Sequence, residues 1–295
     1  MKRDDYILGG ALLAALVAIV LVAFAPAAVP KLGLAARAWS VAEHPITIAV
    51  VSTFIAAFAG TWGAQRLADR TARRKALLDE IRGTNMAIGL TYNIANTYFA
   101  TKKQHIRQIV AHYDGQCAAR TAHYAGMAVG TIPAGTPFTY GLELKTIFPP
   151  FTPIEELQKL MRDKIAPDGK ALILMTPLIQ SLRGFADTVT QRNEWIEELK
   201  HLPPNTDDYK GRLYFGLELT PGRTDERYPN FMKAIGLQTD DCIAFSLLIA
   251  ESLQKYGARL AAKYGEGAPK ISAPNFSKAK DLMPDMAFYA DWTES

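Results

Sequence analysis

Cysteine is nearly absent from this chain, with two in 295 residues, Cys117 and Cys242, far apart and in no CxxC pair. That excludes a disulfide-stapled secreted scaffold and a thiolate metal site, and both cysteines are expected to be reduced. Signature motifs are lacking too. There is no phosphate-binding GxxxxGK[ST] loop, no GxGxxG, no GxSxG, and no nucleophile and base at a recognisable spacing. His105 and His112 lie seven apart, about 10.5 Å along a helix, which is too far for one ion. No metal or other cofactor is expected. Charge is missing from two stretches near the start, residues 6–30 and 45–65. Proline is missing from 66 to 113.

The uncharged runs are 25 and 21 residues long. A bilayer core needs roughly 20 apolar residues in a helix, and in lipid the backbone must satisfy its own hydrogen bonds. Both runs are therefore read as membrane helices joined by a 14-residue loop, 31–44. A cleaved leader is the competing reading, with Lys2 and Arg3 as its basic start and Ala25-Pro26-Ala27 as its cleavage site. The apolar region from Ile7 to Ala25 exceeds the usual 7–15 residues, and Asp4 and Asp5 sit in the basic region, so the membrane reading prevails. Arg66, Arg70, Arg73, Arg74 and Lys75 follow the second run. Basic residues stay on the cytoplasmic side and are drawn to anionic lipid heads, so both termini are expected in the cytoplasm. Trp39 and Trp62 fall where interfacial aromatics sit.

Small residues recur every fourth position, at Gly10, Ala14 and Ala18 in the first run and Ser52, Ala56, Gly60 and Ala64 in the second. Such stripes let helices approach closely in lipid, within one hairpin or between copies, so a homo-oligomer is expected. Neither run contains Asp, Glu, Lys, Arg or His, which argues against a transporter or pump.

The net charge of +4 is uneven. Residues 66–120 hold ten Lys/Arg against four Asp/Glu, whereas 121–295 hold 19 against 22. The basic share lies beside the apolar run and not across a folded face with interleaved aromatics, so direct nucleic-acid contact is not expected.

Apolar residues at three- and four-residue steps, from Ile81 through Ile88, Tyr92, Ala95, Phe99, Ile106 and Ile109 to Tyr113, predict one long helix continuing from the second run. Met86, Leu90, Ile94 and Tyr98 form a second stripe, so the helix has a wide face suited to a bundle. Asn85 breaks the seam and is a candidate for setting register between copies. Two near copies, Tyr140–Leu144 and Phe215–Leu219, read as short strands able to pair. Further helices are expected at 153–162, with Thr152 as cap, at 170–200 with Pro177 inside, and at 240–264 with Thr239 or Asp240 as cap and Gly265 after it. The tail, 266–295, mixes prolines with Phe276, Phe288, Tyr289 and Trp292, and is expected to dock on its own domain or on a partner.

The expected fold is mainly α. It comprises a transmembrane hairpin (1–65), a basic juxtamembrane helix (66–120), a helical cytoplasmic domain with a small β element (121–265) and a tail (266–295). Arg223, Asp225, Asp240 and Asp241 are the candidate ligand or partner residues, because they lie in polar runs beside predicted helix starts.

The hairpin, basic junction and helical domain of about 200 residues resemble the two-transmembrane effectors of bacterial anti-phage defence systems, including those encoded beside retrons. The resemblance is one of layout. It implies an inner-membrane oligomer, held quiet by its cytoplasmic domain or a cytoplasmic partner, that perturbs or depolarises the membrane on release. Two other functions fit the same sequence, a membrane-anchored scaffold or sensor and a tethered enzyme with a site near 223–241.

Overall fold

The structure, a computed structural model, describes residues 45–295 except 168, 204, 205 and 295. The chain divides into two units, Met1–Lys75 and Ala76–Ser295. In the first unit, residues 6–30 with Gly10, Ala14 and Ala18, and the loop 31–44, lie outside the described residues. The second uncharged run is helical from Pro45, within helix α1 (Pro45–Thr101). Among the described residues no helix is long and apolar enough to cross a membrane.

Unit 2 is a helical bundle. The remainder of α1 passes through a five-residue π-helical turn, Lys102–Ile106, into α2 (Arg107–Ala128). Then come α3 (Ile154–Asp163), α4 (Gly169–Lys200) and α5 (Asp207–Tyr214). A hairpin of β1 (Glu218–Thr220) and β2 (Arg223–Thr224) leads into the long α6 (Arg227–Tyr264). Two 3-10 turns, Ser277–Leu282 and Met286–Tyr289, and the short α7 (Asp291–Glu294) close the chain.

The two longest helices of this unit, α4 and α6, pack on each other, and their apolar positions recur at helical spacing. Met175, Leu178, Leu182, Phe185, Val189, Ile196 and Leu199 are all buried in α4, as their periodicity predicts. Pro177 lies in its third turn, where the helix continues past it. The α1 face differs in detail from the expected seam. Ile81, Ile88, Ile94, Ala95, Tyr98 and Phe99 are buried, but Met86 is exposed and Thr84 and Thr91 are buried in its place. Each threonine hydroxyl donates to the carbonyl four residues back, Thr84 to Glu80 at 2.8 Å and Thr91 to Ala87 at 2.7 Å. That satisfies its polar atom within the helix and leaves the methyl to pack.

Three expectations need correction. The two five-residue copies do not pair: β1 pairs with β2, and 140–144 is extended without strand partners. Side chains satisfy that segment instead, Gly141 N donating to Gln116 Oε1 (3.1 Å) and Glu143 N to the Tyr214 hydroxyl (3.4 Å). The residue at the start of α3 is Pro153, with no side-chain cap, so Thr152 does not cap it. The last long helix starts at Arg227, thirteen residues before Asp240. Pro229 is tolerated in its first turn, where backbone N–H groups have no helical partner anyway. Its end is as expected, Gly265 taking φ +82° after Tyr264.

Candidate functional site

The β-hairpin and the start of α6 form one wall of a cleft of about 610 Å³. The last turns of α4 supply Trp195, Glu198 and Leu199, and α5 supplies Tyr209 and Leu213. Arg223, Thr224, Asp225, Glu226, Arg227 and Asn230 line the opposite side. Trp195, Leu199 and Leu213 are buried and make an apolar floor beneath a charged rim.

Arg227 is the rim's organising cation. Its Nε donates to both Asp225 oxygens at 3.1 Å, its Nη2 donates to Asp225 Oδ2 at 2.8 Å, and its Nη1 reaches Glu198 at 3.5 Å. The Asp225 carboxylate also accepts from the Arg227 backbone N–H (3.1 Å), one of the N–H groups at the start of α6 that lack a helical partner. These hydrogen bonds from Arg227 hold the Asp225 carboxyl below the usual carboxylate range.

Behind the cleft lies an aromatic cluster centred on Tyr228. Its ring stacks on Tyr214 at 4.1 Å and tilts against Trp195 at 4.8 Å. Arg192 is wholly buried beside it, Nη1 donating to Lys145 O (3.0 Å) and Nη2 to the Tyr228 hydroxyl (3.3 Å). Asn193 clamps the same extended segment, its Nδ2 donating to Ile147 O (2.5 Å) and its Oδ1 accepting from Ile147 N (3.2 Å). The segment before α3 is thus tied to α4 by two adjacent side chains. Charge periodicity gave no warning that Arg192 would be buried.

Asp240 and Asp241 lie elsewhere. From Arg227 to Asp240 is about 20 Å along α6, and both aspartates are mid-helix, where no terminal dipole acts on them. They hold the tail instead. Asp240 Oδ1 pairs with Lys102 Nζ at 2.5 Å, and Lys102 also donates to Leu282 O at 3.0 Å. Asp241 accepts from the Tyr289 hydroxyl at 2.7 Å. Lys102 opens the π turn, where a locally widened backbone re-aims a side chain.

Asn85 also meets the tail. Its Nδ2 donates to Lys270 O and its Oδ1 accepts from Ser272 N, both at 2.9 Å, as a neighbouring strand would. Phe276 packs on Tyr92 and Phe99, and Phe245 meets Tyr289 and Trp292 edge-on. The tail is therefore a strap docked on its own domain, which resolves one of the two expectations for it.

In unit 1, Ser52, Ala56, Gly60 and Ala64 are exposed, and a Cβ at Gly60 would meet nothing within 4 Å. Arg66 stacks over Trp62 at 3.8 Å, and Arg70, Arg73, Arg74 and Lys75 are exposed. Among the described residues, no group of three or more His, Cys, Asp or Glu could hold a metal ion.

No family model, curated protein or solved structure matches this chain.

Proposed function

We propose that this protein is a non-enzymatic effector of the bacterial inner membrane, anchored and oligomerised through its uncharged runs and gated by the helical unit 76–295. The observation that carries the reading is the strap. Residues 270–292 are pinned through Asn85, Lys102, Asp240 and Asp241, four polar anchors beside a handful of aromatic contacts. The segment buries only Leu282, Pro284 and Tyr289 among its own side chains, so it opens at lower cost than the helical core does, which suits a segment that must let go. The uncharged runs, the small-residue stripes and the five cations at 66–75 support the membrane part, with anionic lipid as partner.

The effector reading is tested by expressing the full chain from a tight promoter in a bacterial host and following membrane potential with a voltage-sensitive dye. A strap-release variant, Asn85→Ala with Lys102→Ala, is expected to depolarise cells faster than the parent chain. Adding Ala56→Leu and Gly60→Leu is expected to abolish that effect by separating the packed spans. A release variant that reaches the membrane fraction and leaves the potential intact overturns the proposal.

A further inference from the structure

Two charges on the rim of the cleft have no hydrogen-bond or ion-pair partner among the described residues. Arg223 projects from β2 and Glu226 stands at the start of α6, on either side of Asp225. Asp225 and Glu198 are both committed to Arg227. What remains is a cation and an anion whose hydrogen-bonding capacity is open above the Trp195, Leu199 and Leu213 floor, Arg223 acting on Asp225 through its charge alone. Tyr209 stands half-exposed at the mouth. The volume, about 610 Å³, suits a small molecule.

Charge complementarity narrows the ligand. The rim carries three acidic side chains, Glu198, Asp225 and Glu226, and two basic ones, Arg223 and Arg227. A simple anion would face a net negative rim, and a simple cation would face the Arg223 guanidinium. A neutral apolar ligand would cover both charges and desolvate them without compensation. We propose that this cleft binds a zwitterion with an apolar or aromatic body, the chemistry of an α-amino acid. Its carboxylate sits on the Arg223 guanidinium, which suits a planar bidentate pair, and its ammonium sits on Glu226. The body covers the apolar floor. This inference is independent of the membrane reading, because it concerns occupancy of the cleft and not the consequence of occupancy.

The test is calorimetric titration of the full purified chain, with the same buffer lacking protein as the blank. Three probes share one ring: L-phenylalanine, 3-phenylpropionate, which lacks the ammonium, and phenethylamine, which lacks the carboxylate. Phenylalanine is expected to bind tightest, and loss of either charge to weaken binding by about tenfold, as one charge-assisted contact implies. Arg223→Ala is expected to weaken phenylalanine and phenylpropionate but spare phenethylamine, and Glu226→Ala to weaken phenylalanine and phenethylamine but spare phenylpropionate. A thermal midpoint matching the parent chain establishes that each variant is folded. No binding heat from any probe, equal affinity for phenylalanine and phenylpropionate, or indifference to Arg223→Ala overturns the proposal.

Discussion

Gly211 and Gly236 are both helical glycines, yet alanine at the two should act in opposite directions. Gly→Ala within a helix is worth up to about 1 kcal/mol where the new methyl is free to sit. At Gly236 in α6 a Cβ would meet nothing within 4 Å, so the full gain is expected. At Gly211 in α5 the same atom would lie 2.5 to 2.6 Å from three carbons of the Tyr140 ring. That ring cannot simply step aside. It packs on Phe138 at 5.3 Å and Phe215 at 5.6 Å, and Phe215 in turn stacks with Tyr113. Overpacking of this kind costs about 2–3 kcal/mol, so a net loss of about 1–2 kcal/mol remains after the propensity gain. Unit 2 spans 220 residues, and an unfolding entropy of about 2.1 cal/mol/K per residue converts the loss into a fall of about 2–4 °C. Gly236→Ala should rise by about 1–2 °C on the same scale. Differential scanning calorimetry of the two variants beside the parent chain decides the matter. If both variants rise alike, the Tyr140 ring does not rest on Gly211 and the packing described around it is wrong.

Three further outcomes follow from other contacts. Asn85→Ala removes both hydrogen bonds to the strap backbone and should expose 266–292 to limited proteolysis, while the global midpoint falls by no more than a few degrees; a strap as protected as before would refute the clamp. Asp225 has a folded pKa below its unfolded value, so its contribution is present above about pH 4 and lost as pH falls through the folded pKa. The difference in midpoint between the parent chain and Asp225→Asn should therefore be flat from pH 8 to pH 5 and shrink in more acidic buffer. Cys242 is buried with its thiol pushed up by that burial, whereas Cys117 is half-buried, so a thiol reagent should label Cys117 first and Cys242 only on unfolding.

Long periodic stretches are legible in the residues themselves. The buried series of α4 and the glycine ending α6 follow from local rules, because helical spacing and a left-handed cap are properties of short windows. The start of α6 is not legible in this way. Thr239-Asp240-Asp241 looks like a helix start, yet it lies inside a helix that also contains Pro229 and Gly236 and whose stability comes from its packed face. The candidate site is half legible. Arg223 and Asp225 do line one cleft, but Asp240 and Asp241 serve the strap, and the pairing of Asp240 with Lys102 spans 138 residues, which no local window contains.

By itself the sequence determined that this chain is predominantly helical, that its charge-free stretches lie near one end with five cations beside them, and that its tail carries aromatics to bury. Those are consequences of composition and of 3.6-residue periodicity, which act along the chain. Only the tertiary structure decided where isolated polar residues go. Asn85 grips the backbone of Lys270 and Ser272, 185 and 187 residues away, and Arg192, which could have been a solvated helix charge, lies beneath Tyr228. A polar side chain that satisfies its hydrogen bonds through a distant backbone is decided by which segments fold against it, and that information lies in the packing of the whole domain.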